Sequence, residues 1–369
     1  MIPEIDKSIG IEVYSTHFKG IGGRIKSDYN SFIVEEVIKD VRFLNEGYAL
    51  YRLEKVGIDS NNVLNDIEKK HNLRLKIFGL KDANAKTIQY ALSKIRGEYK
   101  EVMSKNYSLK FIGYTDYLTR DLLIGNRFKI KILDSNASRD DLESFKEEIS
   151  KIANFYGYQR FGSNKPITHI IGKHIIKRNF KEAVELLISN NNKGFEYEVK
   201  KEYTNSRDPI KALRKVPIRI RRLFIDAYKA YIFNKTLSNI IKNGDDLKAK
   251  SNDVCFILDG RNRLGIFDYK YQSILAIPTI GYGYKSNHRF AEVIDAIMRE
   301  EGINHKDFYT KEMQEISSSS GFRQALLYCN EFNYTLEPLT ISFTLQVGGY
   351  ATILLRELMK PEDPLASGF

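Results

Sequence analysis

Apolar residues recur with two different periods along the chain, and the changes of period mark out its organisation. Residues 31–38, Ser-Phe-Ile-Val-Glu-Glu-Val-Ile, are rich in β-branched and aromatic side chains, and residues 48–55 alternate apolar and polar positions as a half-buried strand does. The period then lengthens. Val63, Leu64, Ile67 and His71 fall on one helical face, Ser60 offers an N-cap, and the helix is expected to end near Asn72. A short strand is expected at 76–78, broken at Gly79, and extended structure resumes at 87–91, so Lys81 and Asp82 fall on a loop between strands. Residues 140–152 return to helical spacing.

From about residue 177 to 315 helical periodicity dominates, at 180–189, 218–242 and 290–301, with strand-like pieces at 254–258 and 273–277. Polar loops at 190–194 and 242–246 mark joints. After Ser317-Ser318-Ser319-Ser320-Gly321, strand character returns at 340–345, and a last helix is expected over 351–359. A β-rich start, a helical middle and a β-rich end suggest one domain inserted into another. No internal repeat is evident.

The chain has 369 residues, and 58 Lys+Arg against 47 Asp+Glu leave a formal charge of +11. At this length two domains are expected. No run of 18 or more apolar residues occurs, and the first residues lack the basic-then-apolar order of a signal peptide, so the expectation is a soluble, cytoplasmic protein. Cys255 and Cys329 are too far apart for a metal knuckle and read as two buried thiols. His169 and His174, five residues apart, do not share a helical face and read as structural, so no metal site is expected.

The positive charge is concentrated. Residues 211–222 hold six basic side chains, Lys211, Arg214, Lys215, Arg219, Arg221 and Arg222, with no acidic one. Such a run is often only a solvated helix face. Together with the overall charge, 23 Tyr and 21 Phe, it suits an anionic polymer, with cations for phosphates and rings for unstacked bases. Phosphate-loop, dinucleotide-turn and GxSxG motifs are absent, which leaves nucleotide-driven, nicotinamide and serine-hydrolase chemistry without support.

Two dense polar and aromatic clusters remain. The first is Gly79-Leu80-Lys81-Asp82-Ala83-Asn84-Ala85-Lys86-Thr87-Ile88-Gln89, and the second is Asn154-Phe155-Tyr156-Gly157-Tyr158-Gln159-Arg160-Phe161-Gly162. Both closely resemble the signatures of the TruD pseudouridine synthases. The family's Gly-x-Lys-Asp-x-x-Ala-x-Thr-x-Gln, around its catalytic aspartate, and its Asn-x-aromatic-Gly-x-Gln-Arg-Phe-Gly are matched at every specified position. Lys26 with Phe32-Ile33-Val34-Glu35-Glu36 is similar to the family's N-terminal lysine and strand, with Ser31 in place of Asp. Residues 227–234 are similar to a family helix. Gly348-Gly349-Tyr350-Ala351-Thr352, followed by Arg356-Glu357, resembles its closing motif, with Gly349 where Ser is usual.

The resemblance implies an α+β fold, with a mixed, largely antiparallel catalytic sheet flanked by helices and an inserted, mainly helical α/β domain. The corresponding division is a discontinuous catalytic domain at 1–178 and 320–369 and an inserted domain at 179–319. It implies conversion of uridine to pseudouridine in RNA, at position 13 in the D arm of tRNA, without cofactor, metal or obligate protein partner. Asp82 is then the catalytic carboxylate, able to act as nucleophile or base, where by itself it would read as a turn cap. Lys26 or Lys81 would keep it ionised in a dry pocket. Lys81 could instead meet phosphate. Tyr156 and Tyr350 match positions where the family places rings around the flipped base, and plain core is their bland alternative. Asn154 would orient Asp82 or read a uracil edge, and Arg160 and Phe161 would brace the loop. Arg214, Lys215, Arg219, Arg221 and Arg222 form the candidate RNA-binding face. Two other classes stay open: an RNA-binding protein of this fold without turnover, and a metal-dependent nuclease using Asp82 with Glu35 or Glu36.

Overall fold

The computed structural model describes residues 1–369 except Leu80, Asp82, Glu98, Ser163, Asn164, 190–193 and 259–262. Backbone contacts divide the chain into two interleaved units. One takes 1–17, 151–327 and 352–357, and the other takes 18–150, 328–351 and 358–369.

The second unit is built on a nine-stranded sheet. Its strands are β1 (Phe32–Ile38), β2 (Tyr48–Val56), β3 (Leu75–Ile77), β4 (Lys86–Arg96), β5 (Val102–Met103), β6 (Tyr107–Thr115), β7 (Leu123–Lys131), β12 (Cys329–Leu336) and β13 (Leu339–Gln346). They run in the order β12-β13-β7-β1-β4-β2-β6-β5, with β3 paired to β4. Only β1 and β4 pair in parallel, so the sheet is mixed and largely antiparallel, as expected. The period-2 alternation of β2 explains how both faces find a core. Ala49, Tyr51 and Leu53 pack with Val63 and Ile67 of the helix Ser60–His71. Leu50 packs with Phe78, Leu92 and Leu122. Phe78 thereby pins the start of the β3–β4 connection to the sheet.

That helix is capped one residue earlier than expected. Asp59, not Ser60, is the N-cap, and its carboxylate accepts the Asn61 and Asn62 N–H groups. Asn72 ends the helix in the left-handed conformation.

The first unit is mainly helical, with a four-stranded sheet in the order β11-β10-β8-β9. Those strands are β8 (Val254–Ile257), β9 (Arg263–Ile266), β10 (Ser273–Thr279) and β11 (Gly321–Gln324). Its long helix spans Ile218–Lys242, the span the sequence predicts. The helix Thr168–Ile176 packs on it at Gly172, where an added Cβ would lie 2.0 Å from the Phe224 carbonyl oxygen. This packing draws residues 151–178 into the helical unit, whereas the sequence grouped them with the catalytic sheet. His169 stacks on Tyr231 at 5.1 Å, and burial pushes its imidazole down to about 4, consistent with a structural residue. Cys255 and Cys329 are free thiols; Cys255 is buried as expected, but Cys329 is only half-buried.

Gly172 gives a direct test of the helix contact. Alanine in a helix interior is favoured over glycine by about 1 kcal/mol, but overpacking costs about 1–3 kcal/mol or more, and a clash with backbone cannot be relieved by a rotamer change. Gly172→Ala should therefore lower the urea midpoint. A midpoint at or above that of the wild type would show that the helices do not meet there.

Candidate active site

The β3–β4 connection is anchored by a buried ion pair. Period 2 along β1 places Phe32, Val34 and Glu36 on one face, all buried. In the antiparallel register Glu36 stands opposite Asn126 of β7. Directly opposed side chains lie close together on the same face, so a single ammonium can reach both. Lys81 does so: its Nζ is 3.0 Å from Glu36 Oε1 and donates to Asn126 Oδ1 at 2.7 Å. The Glu36 side chain is 0% exposed and that of Lys81 11%. Glu36 Oε2 accepts the Tyr90 N–H at 2.8 Å. Burial pushes the Glu36 carboxyl above the ordinary carboxylate range, while Lys81 and the Tyr90 N–H pull the other way. Gly79 runs close by, and a Cβ there would sit 3.3 Å from Glu36 Oε1 and 3.4 Å from Lys81 Nζ.

The backbone of Lys81 is held as well. Its N–H donates to Ser60 Oγ at 3.3 Å, and Ser60 Oγ donates to Gln89 Oε1 at 3.0 Å. Gln89, the last residue of the first signature, is 0% exposed on β4. The signature therefore encodes an anchored turn. Asp82 itself lies outside the described residues. Lys26 is half-buried with a positive φ of 57°, and its Nζ sits 5.1 Å from the Phe32 ring centroid. Tyr350 is half-buried, two residues after Gly348 at a φ of 87°.

In the helical unit the second signature is braced from several directions. Asn154 is buried; its Nδ2 donates to the Gln324 carbonyl at 3.1 Å and its Oδ1 accepts Arg323 Nη2 at 2.7 Å. The Arg323 guanidinium lies over the half-buried Tyr156 ring at 4.0 Å, and Arg160 lies 5.5 Å from the same ring. Asn234, on the helix that resembles the family's, accepts the Tyr156 N–H at 2.8 Å and donates to the Tyr156 carbonyl at 3.1 Å. Phe161 is fully buried.

The Arg-Glu pair of the closing motif is structural. Arg356 is 0% exposed, donates to Asp6 Oδ2 at 2.5 Å and to Glu357 Oε1 at 2.9 Å, and lies 4.1 Å over the Tyr14 ring. Burial opposes its charge, but Asp6 and Glu357 outweigh burial and raise its pKa. Glu357 also accepts the Ser15 and Thr16 N–H groups, and Tyr158 donates to Asp6 at 2.6 Å.

The basic run divides. Arg214, Lys215, Arg219 and Arg222 are exposed. Arg221 departs from the expectation of a surface cation, being 8% exposed with Nε on the Val216 carbonyl and Nη1 paired to Glu315. An N-terminal turn of the long helix that packs on residues 311–316 needs that inward side chain. Lys215 pairs with Glu202 at 3.2 Å.

Sequence reasoning missed Asn126 and Ser60, since neither lies in a signature and only strand register and helix placement bring them to Lys81. Glu36 entered only as a possible metal ligand. Its oxygens are occupied by Lys81 and Tyr90, and Glu35 falls on the other face of β1, with Arg127 at 3.8 Å. Among the described residues no cluster of three or more His, Cys, Asp or Glu could hold a metal ion.

The same α+β fold is found in a crystal structure described as the "Putative tRNA pseudouridine synthase D (TruD)" from Methanosarcina mazei. That structure aligns with a TM-score of 0.77 at 24% identity, over 99% of each chain. The model of the family tRNA pseudouridine synthase D (TruD) matches residues 8–208 and 194–358, and the chain belongs to that family. Among curated relatives, "Probable tRNA pseudouridine synthase D" of Pyrobaculum islandicum is 28% identical, over 100% of this chain and 99% of its own. The protein so named in Archaeoglobus fulgidus is 29% identical, over 97% and 100%.

The Lys81–Glu36 pair makes a pH-dependent prediction. With its pKa raised above 4.5, folded Glu36 binds a proton more tightly than it does in the unfolded chain, so its favourable contribution is present below the unfolded pKa and lost as pH rises through the folded one. Lys81→Met removes the charge that counters this loss. Removing one partner of a buried pair costs about 3–5 kcal/mol. That penalty should appear by denaturant titration near pH 8 and shrink near pH 5, as Glu36 takes up a proton. A penalty equal at both pH values would show that the pair is not a buried charge pair.

Proposed function

We propose that this chain is an RNA pseudouridine synthase that isomerises uridine in tRNA, at position 13 in the D arm, with Asp82 as the catalytic carboxylate. The observation that carries the reading is the complete Gly79–Gln89 signature in a chain of this family, with Lys81 held by Glu36, Asn126 and Ser60. The N1–C1′ bond breaks, the uracil turns, C5 joins C1′, the proton on C5 leaves and N1 takes up a proton, so that composition is unchanged. Asp82 acts as nucleophile or base toward the nucleoside.

Because the Lys81 ammonium is engaged by Glu36 and Asn126, the role of charge partner to Asp82 goes to Lys26 and that of loop anchor to Lys81. Tyr350 and Tyr156 stack on bases near the target. Stacking worth ~1–3 kcal/mol per base offsets part of the few kcal/mol needed to flip the uridine out. Asn154 positions the second signature through Arg323. Arg214, Lys215, Arg219 and Arg222 meet RNA phosphates; Arg221 braces the helix beneath them. The functional division into a catalytic domain (1–178 and 320–369) and an inserted domain (179–319) belongs to the same proposal.

Asp82→Asn preserves shape and removes the charge. Loss of a positioned acid–base group costs roughly 10²–10⁴-fold in rate. The variant should bind a tRNA transcript like the wild type while pseudouridine formation falls by at least that factor. Turnover comparable to the wild type would remove Asp82 from the mechanism.

A further inference from the structure

A cavity of about 780 Å³ opens in the helical unit, apart from both signatures in sequence. Its walls include Lys177 and Arg178 after the helix Thr168–Ile176, Tyr282, and Lys306, Tyr309 and Lys311 from the short turns that precede β11. The volume falls within the about 300–1,000 Å³ usual for ligand sites. The lining is unlike a structural crevice. Tyr282 and Tyr309 are 45% and 42% exposed, with ring centroids 6.0 Å apart and planes at 81°, so two large rings are partly open to solvent.

Charge at the rim is net positive, with Lys177, Arg178, Lys306 and Lys311 against Asp307 and Glu312. Two acidic residues line the cavity, and both are engaged: Asp307 Oδ2 caps a turn through the Asn304 N–H at 2.7 Å, and Glu312 Oε2 lies 3.6 Å from Arg178 Nε. Arg178 also donates to the Asp307 carbonyl at 2.6 Å and the Tyr309 carbonyl at 2.8 Å, so it serves as the frame of the cavity. Lys306 and Lys311 are exposed and have no ion-pair partner among the described residues, and Lys177 contacts only a backbone carbonyl, that of Glu301, at 3.1 Å. Three ammonium groups thus surround two open rings.

The cavity also continues the basic run. Arg214 donates to the Glu312 carbonyl at 2.9 Å, and Arg222 donates to the Glu315 carbonyl at 2.9 Å. Both therefore grip the turn Lys311–Ile316, whose first two residues line the cavity. Exposed cations and the exposed Tyr309 ring thus lie along residues 306–316, with Tyr282 beside Tyr309, a combination suited to single-stranded nucleic acid.

We propose that this cavity receives an unpaired nucleotide of the RNA substrate away from the reacting uridine, its base against Tyr282 and Tyr309 and its phosphates on Lys306, Lys311 and Lys177. The inference rests on the reading of the chain as an enzyme acting on RNA. It adds a second, non-reacting contact that favours RNAs with an unstacked base besides the target.

The probe is a tRNA transcript, with Kd measured over a range of salt concentrations and turnover measured at saturating RNA. Tyr282→Ala with Tyr309→Ala should raise Kd by about 5- to 150-fold, the equivalent of one base stack, and leave the salt slope unchanged. Lys306→Gln with Lys311→Gln should flatten the log–log salt slope by roughly 1.4, about 0.7 for each phosphate no longer neutralised. Tyr→Phe at both positions should restore the wild-type Kd. Turnover at saturating RNA should stay at the wild-type value in every variant, since none of these residues belongs to the proposed catalytic machinery. Wild-type Kd and slope in both pairs would overturn the proposal, including the case in which the cavity serves a protein partner. A wild-type protein that binds RNA without isomerising it would overturn the proposed function, yet leave the Kd comparison readable.

Discussion

A carboxylate with no exposed surface, Glu36, sits in the middle of the large sheet, and the chain must bring it a cation. That cation is Lys81, which closes on Glu36 and Asn126 together. A buried pair of this kind contributes little net stability, because desolvation offsets attraction, but leaving either partner alone is expensive. Its effect is therefore on geometry. The residue after Gly79 and Leu80 can point in few directions once its ammonium is fixed and its N–H is held by Ser60. Phe78, packed with Leu50 and Leu92, fixes the other side of the turn. The position of Lys81 is thus set by sheet register.

The remaining signature residues in the helical unit work in the same way. Asn154, Arg323 and Asn234 form a closed polar frame around the Tyr156 backbone and ring. Arg356, Asp6, Glu357 and Tyr158 form a second, fully buried frame. Half-satisfied polar networks are worse than apolar packing, so each member constrains the others. Asn154, Arg356 and Glu357, all specified in the sequence patterns, are thus held by buried polar contacts.

Elements with strong periodicity or clear punctuation were legible in the chain. The helices Ile218–Lys242 and Ala351–Met359 span the residues that periodicity predicts, and β2 and β13 agree within two residues. No strand is expected from the sequence at β6 or β7, where Ile112-Gly113 and Gly125-Asn126-Arg127 interrupt the apolar alternation. The capping error at Ser60 has a similar cause: both Asp59 and Ser60 are good caps, and Ser60 is drawn inward by Gln89. The inward turn of Arg221 depends on Glu315, distant in sequence, and a charge count along the chain carries no such information. For the site, the signatures name Lys81 and Gln89, while Asn126 becomes visible only through strand pairing.

The central claim is that this chain moves the uracil from N1 to C5 on the same ribose. Joining C5 to C1′ requires loss of the C5 proton, so a tRNA transcript carrying tritium at uracil C5 reports the reaction directly. Incubation with the wild-type protein alone should release tritium to water from one uridine per transcript, at position 13, with the RNA unchanged in length. No release, or release accompanied by a shortened RNA, would contradict the account.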